Sequence, residues 1–242
     1  MISMPSETTT ITEAERGDST LVIMAKAARP GAVKTRLAAC LPSDAITDLY
    51  RCLLEDTMAL ARSLDGVATA IMSPAADVKE LRRTVDGGMQ VVPQWGSGLA
   101  AGLESVFEYF EGRTVAFNSD SPHLSMSVLR QAFDALAWYD LVVGPTNDGG
   151  YYLIGARARH PGLFAPSAMG TASALEILLA RAHNLGLSVH ATDEFYDIDT
   201  PADLNRLMEE LRLAPERAPR TARWLEEWAR TLPDPMSSGP NS

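Results

Sequence analysis

The residues with the most chemical potential lie between Leu21 and Ala39, LVIMAKAARPGAVKTRLAA. An uncharged run, Leu21 to Ala25, reads as a buried strand. Lys26, Arg29, Lys34 and Arg36 then follow in a short loop bent by Pro30 and Gly31, with no acid among them. A strand running through a small, cationic loop toward a helix suits phosphate binding, because backbone N–H groups and cationic side chains both neutralise negative charge. The loop matches neither the Walker A nor the G-x-G-x-x-G pattern. A plain solvated loop with surface cations remains the alternative. The other candidates are acids at strand ends. Asp120, held in a turn by Pro122, suits a Mg²⁺ ligand, and Asp197 or Asp199 can supply a second carboxylate. An acid at 197 also simply favours the start of the following helix. Asp148, Gly149 and Gly150 read either as a hairpin turn or as backbone that a substrate can approach closely.

These residues need a scaffold, and the chain predicts one. Amphipathic spacing at Ile46, Leu49, Tyr50, Leu53 and Leu54 gives a helix that Ser43 can cap. Strands are expected over 67–72, 89–92, 114–118, 141–144, 151–154 and 187–190. Helices are expected over 77–83, after Gly98, after Ser125, from Thr171 to a stop at Gly186, from Pro201 and over 218–228. Thr200, Pro201 and Asp203 form a capping-box signature. Strands alternating with helices predict an α/β fold: a mostly parallel central sheet with helices on both faces. In such sheets ligands bind beyond the carboxyl ends of the strands, where the cationic loop, Gln94 to Gly98, Asp120, Asp148 and Asp199 all fall. Tyr151 and Tyr152 must face opposite ways, so one of them can line that crevice.

Composition narrows the partners. The chain has 242 residues, 21 Lys+Arg against 31 Asp+Glu, and a net charge of −10. That balance argues against sequence-independent nucleic-acid binding. No apolar run is long enough to span a bilayer, so no membrane partner is expected. Cys40 and Cys52 form neither a metal spacing nor a disulfide framework, which fits a cytoplasmic location. The expected domain runs over 20–232, with disordered tails at 1–19 and 233–242. His123, His160, His183 and His190 read as surface or hydrogen-bonded histidines.

Taken in order, LVIMAKAARPGAVKTRLA, FNSDSP, NDGGYYLIG, MGTASALE and YDIDTPADL resemble a bacterial family of GT-A-fold, nucleotide-diphospho-sugar-type transferases. That family includes arsenosugar-biosynthesis glycosyltransferases, and in plan it is similar to MobA-type nucleotidyltransferases and to 2-phospho-L-lactate guanylyltransferase (CofC). The resemblance implies a single Rossmann-like GT-A domain. It implies nucleotide binding by Lys26, Arg29, Pro30, Gly31, Lys34, Arg36, Gly96 and Gly98, with Lys34 and Arg36 matching the family's KTR. It implies a metal, Mg²⁺ or Mn²⁺, on Asp120 and Asp199, and catalytic roles for Lys34, Arg36 and Asp120. Acceptor binding falls to Asp148, Gly149, Gly150 and Tyr151. Many relatives carry Asp and Arg where this chain has Gly98 and Gly102, and GSGLAAGL is nearer the guanylyltransferase turn. The expected reaction is transfer of a nucleotide from an NTP to a phosphorylated small molecule, releasing pyrophosphate. The alternatives are glycosyl transfer from a nucleotide sugar to a hydroxylated acceptor, and a non-catalytic nucleotide-binding module. Oligomeric state has no signature in the sequence.

Overall fold

The computed structural model describes residues 19–85 and 88–231. Of the expected tails at 1–19 and 233–242, all but Ser19 lies outside the described residues, and Ser19 belongs to the first strand. Strand β1 (Ser19–Met24) is followed by a 3-10 turn (Thr35–Ala39) and helix α1 (Ser43–Arg62). Next come β2 (Ala68–Ser73), α2 (Val78–Thr84), β3 (Gln90–Pro93), α3 (Gly98–Tyr109), β4 (Arg113–Asn118) and α4 (Met126–Ala135). The second half holds β5 (Leu141–Pro145), β6 (Tyr151–Ala156), α5 (Ala174–Asn184), β7 (Val189–Ala191), α6 (Pro201–Leu213) and α7 (Pro219–Thr231). These strands form one seven-stranded sheet in the order β3-β2-β1-β4-β6-β5-β7. All neighbours are parallel except those of β6, which runs antiparallel to β4 and β5. The architecture is therefore a single α/β domain with a mostly parallel sheet.

Strand β1 shows why the sheet is covered on both sides. Leu21, Val22 and Ile23 are all fully buried, yet neighbours on a strand point to opposite faces. Leu21 and Ile23 pack with Tyr50 and Leu54 of α1 and with Leu129 and Phe133 of α4. Val22 packs with Leu103 and Val106 of α3 and with Leu178 of α5. A third cluster joins the outer side of α1, through Leu49 and Leu53, to Leu207 and Leu211 of α6 and Leu225 of α7. Each fully buried aliphatic side chain of this kind contributes roughly 1.5–3 kcal/mol.

Several helix boundaries differ from expectation by a cap. Ser43 is the first residue of α1 rather than its cap; Pro42 takes that place and supplies no side-chain bond. Helix α5 begins at Ala174, not Thr171, because Thr171 closes a turn onto Ala168 O first. Ser125 caps α4 by accepting from Ser127 N. The capping box of Thr200 and Asp203 forms as expected, with Pro201 at the first helical position.

The strand order places the site. The chain builds β1, β2 and β3 outward in one direction, then returns to lay β4 on the other side of β1. The carboxyl ends of β1 and β4 diverge at that reversal, where open α/β sheets bind ligands. Met24 pairs with Asn118 in register, so the cationic loop and the Asp120 turn leave the sheet side by side. Because β6 is antiparallel, its first residue, Tyr151, comes to the same edge.

Candidate functional site

The cationic loop is anchored before it can bind anything. Ala27 N donates to Asp77 Oδ2 at 3.1 Å, and Lys26 N donates to the Tyr50 hydroxyl at 3.2 Å. Arg29, expected among the phosphate cations, turns away: its Nη1 lies 2.6 Å from Asp77 Oδ1 and its Nε 2.8 Å from Glu80 Oε2. Arg29 thus fastens the exposed Pro30–Gly31 turn to α2. Lys26 is exposed and forms no ion pair among the described residues.

Lys34 does the reverse and points inward. It is the one non-glycine among the described residues with a positive φ, 46°. That left-handed conformation is uncommon for a residue with a side chain and draws attention to function. It is fixed by the 3-10 turn that follows, in which Leu37 N donates to Lys34 O at 2.9 Å. The Lys34 side chain is only 5% exposed, and its ammonium bridges Asp120 Oδ2 and Asp199 Oδ1, the latter at 2.9 Å. Burial works against the charge, but Asp120 and Asp199 outweigh it and hold the ammonium pKa above its usual value. Arg36 Nη1 meets the other oxygen of Asp199 at 3.0 Å. Residues from three places in the chain, the first loop, the end of β4 and the segment before α6, therefore converge as the sequence predicts.

The acids extend beyond that pair. Asn118 Nδ2 donates to Asp197 Oδ1 at 2.6 Å. Burial, with the Asp120 carboxylate beside it, pushes the Asp197 carboxyl well above the usual range. Asp120 Oδ1 and Asn118 Oδ1 are buried oxygens with no hydrogen-bond partner among the described residues. Hard oxygens left unsatisfied are what Mg²⁺ or Mn²⁺ takes, and such ions need only one or two carboxylates beside water and phosphate. The residues present fit a divalent cation. Among the described residues, no three acids, histidines or cysteines close into a ready-made metal cage. Tyr50 and Thr57 of α1 brace the turn from below: the Tyr50 hydroxyl lies 2.9 Å from Ser119 Oγ, and Thr57 Oγ1 donates to Ser119 O at 3.2 Å. Nothing in the sequence distinguishes Tyr50, Thr57 or Asn118 from ordinary helix and strand residues.

The other expected contributors line the rim. Gln94 Nε2 donates to Gly96 O and Gly98 O, at 3.3 and 3.2 Å, and so shapes the loop after β3. A Cβ at Gly102 would stand 2.8 Å from Gln94 Oε1, so the bare backbone there accommodates Gln94. Across the crevice, Asp148 Oδ1 accepts from Thr146 Oγ1 at 2.6 Å and from Gly150 N at 3.1 Å, which sets the hairpin turn between β5 and β6. At Gly149 the space for a side chain is taken by the chain itself, because a Cβ would lie 2.0 Å from Ala172 O. Its φ of +86° also calls for glycine. Tyr152 is core, with its hydroxyl 2.9 Å from Thr192 Oγ1. Tyr151 is half-buried and its hydroxyl donates to Met169 Sδ at 3.4 Å; both tyrosines, with Met24, Leu99 and Asn118, border a slot of about 50 Å³. A larger groove, about 640 Å³, lies between α6 and α7 and contains none of these residues.

His123 departs from the surface or hydrogen-bonded histidine that its sequence context suggests. It is fully buried against Phe195 and Tyr196, and neither ring nitrogen has a partner among the described residues. Burial, with Arg217 and Arg206 nearby, lowers its pKa from 6.5 to about 3. The folded state therefore keeps His123 neutral where the unfolded chain protonates it. Stability is unaffected above about pH 6.5 and falls as pH drops below it, by about 2 kcal/mol at about pH 5. Urea denaturation of His123→Phe is expected to show a shallower loss between about pH 7 and pH 5 than the wild type. An unchanged slope would mean that the ring titrates normally.

Residues 57–171 match the family described as "uncharacterized protein conserved in bacteria (DUF2064)". No curated protein matches the chain significantly. A solved structure from Desulfovibrio desulfuricans G20, provisionally named a nucleotide-diphospho-sugar transferase, is 26% identical, with 88% of this chain and 96% of that chain covered and a TM-score of 0.76. The 4-diphosphocytidyl-2C-methyl-D-erythritol synthase of Anaerococcus prevotii DSM 20548 shares the fold, at 11% identity, 82% and 99% coverage and a TM-score of 0.52. So does an rv0371c homolog from Mycobacterium sp. strain JC1, at 21% identity, 82% and 99% coverage and a TM-score of 0.51. No described helix is long and apolar enough to cross a membrane. The chain thus carries the DUF2064 pattern over 57–171 on a single α/β domain that shares its fold with the Desulfovibrio desulfuricans structure.

Proposed function

We propose that this chain is a metal-dependent nucleotidyltransferase that joins an NTP to a phosphorylated small molecule and releases pyrophosphate. The observation that carries the reading is the convergence of Lys34, Arg36, Asp120 and Asp199 at the β1/β4 reversal. Lys26, Lys34 and Arg36 would receive the phosphates, while Arg29 lies on the far side of the loop against Asp77 and Glu80. Asp120 and Asp199 would hold Mg²⁺ or Mn²⁺, which when bound would neutralise charge on the phosphates. The loop after β3, shaped by Gln94, Gly96 and Gly98, would lie along the nucleotide. Asp148, Gly149, Gly150 and Tyr151 would border the acceptor. A phosphate oxygen of the acceptor attacks the α-phosphorus, the bond to the β-phosphate breaks, and the electron pair leaves with pyrophosphate. Lys34 and Arg36 stabilise the charge that develops on the leaving group.

A second reading, glycosyl transfer from a nucleotide sugar to a hydroxylated acceptor, is favoured by one observation. The acceptor-side segments 141–156 and 189–205 carry Asp148, Asp193, Glu194, Asp197, Asp199 and Asp203 but no lysine or arginine. A neutral hydroxyl acceptor needs no cation there, whereas a phosphorylated one must borrow Lys26 or Arg36. The test is a screen of NTPs against sugar phosphates and phospho-acids with Mg²⁺, reading pyrophosphate. Pyrophosphate release that depends on the acceptor supports nucleotidyl transfer. Nucleoside diphosphate release from a nucleotide sugar, without pyrophosphate from any NTP, supports glycosyl transfer. Binding without turnover of either kind leaves the nucleotide-binding module.

A further inference from the structure

We propose that the Lys34 ammonium occupies the divalent-cation position between Asp120 and Asp199 in the resting protein, so that the metal enters only with the nucleotide phosphates that draw Lys34 away. The proposal rests on the nucleotide-site reading above and adds how the site is held before the nucleotide arrives. Three observations support it. Lys34 reaches both carboxylates at once from a buried position, while Asp199 itself is 38% exposed. The left-handed backbone at Lys34, locked by the Leu37 N–H, aims the side chain there rather than outward, as exposed Lys26 points. Arg36 rests on the remaining oxygen of Asp199. Both phosphate-seeking cations of the KTR segment are thus parked on the two expected metal ligands.

The charges explain the consequence. Two cations already balance the two carboxylates of Asp120 and Asp199. A free divalent ion would have to displace Lys34 or sit beside its charge, and in a partly buried site that repulsion is weakly screened. A triphosphate changes the balance. Its oxygens offer Lys34 and Arg36 new partners, and the carboxylates become free for the ion that the phosphates bring. Metal and nucleotide binding are then coupled, each raising the affinity for the other.

The test uses Mn²⁺ alone, with no nucleotide, followed by electron paramagnetic resonance on wild type, Lys34→Met and Arg36→Gln. The wild type is expected to bind Mn²⁺ weakly. Lys34→Met should bind it about tenfold or more tightly, and Arg36→Gln should shift in the same direction by less. Lys34→Met binding Mn²⁺ no more tightly than the wild type would overturn the proposal. If Lys34→Met does not fold, the exposed-site variant Arg36→Gln decides: a tighter Mn²⁺ constant supports the proposal, and an unchanged one overturns it. The measurement involves neither nucleotide nor acceptor, so a failed substrate screen leaves it standing and its own failure leaves the screen standing.

Discussion

Asp120→Asn is expected to lower metal-dependent turnover by about a hundredfold or more. The change keeps the side chain's shape and removes its charge. Asp120 stands where the two halves of the site meet, with one oxygen on Lys34 and the other without a partner among the described residues. Losing the carboxylate weakens the hold on a cation that would act on the phosphates, an effect of several kilocalories per mole in the transition state. The same substitution should also destabilise the fold. Lys34 is buried and would keep only Asp199 as a full counter-charge, and a charged hydrogen bond of this kind contributes about 1.5–3 kcal/mol. Turnover and thermal melting on the same preparation check both effects. Full metal-dependent activity with an unchanged melting temperature would reduce Asp120 to a turn residue.

Asp56→Ala is expected to cost about 3 kcal/mol or more in folding free energy, far from the site. The side chain is fully buried and lies on α1, yet it caps α7. Its Oδ2 accepts from Thr221 N at 2.8 Å and from Thr221 Oγ1 at 2.9 Å, and its Oδ1 accepts from Arg220 N at 3.2 Å. Helix starts expose N–H groups that need acceptors, and an N-cap is typically worth about 1 kcal/mol. Here the acceptor is charged and Thr221 is also buried, so truncation strands several donors without water. Urea denaturation of Asp56→Ala and Asp56→Asn should rank alanine as the more damaging. A loss below about 1 kcal/mol for alanine would show that α7 finds its caps elsewhere.

These two residues illustrate what the sequence can and cannot disclose. The Thr200 capping box is legible because cap and capped N–H lie three residues apart. The Asp56 cap joins residues 165 apart, and its sequence context is that of any helical acid. The same limit explains Arg29. Its place in a run of cations suggests phosphate binding, but Asp77 and Glu80, some fifty residues on, claim it. Lys34, Arg36, Asp120 and Asp199 are legible because a strand-loop-helix alternation sends every carboxyl end to one edge of a parallel sheet. Asn118, Tyr50 and Thr57 are not, because a side chain that braces a turn from a neighbouring element leaves no periodic trace. His123 misleads for a related reason: sequence sets the ring's identity, whereas Phe195, Tyr196 and Arg217 set its burial and charge.

The most direct test of the proposed nucleotide site is calorimetric titration of Mg²⁺-nucleotides into the wild type and Arg36→Ala. Arg36 is exposed and bonded only through its guanidinium to Asp199 among the described residues, so the variant should fold as the wild type does. Saturable one-to-one binding of at least one nucleoside triphosphate to the wild type is expected, with binding about tenfold or more weaker to Arg36→Ala. Equal affinity of both proteins, or no saturable heat with any nucleoside triphosphate, would contradict it.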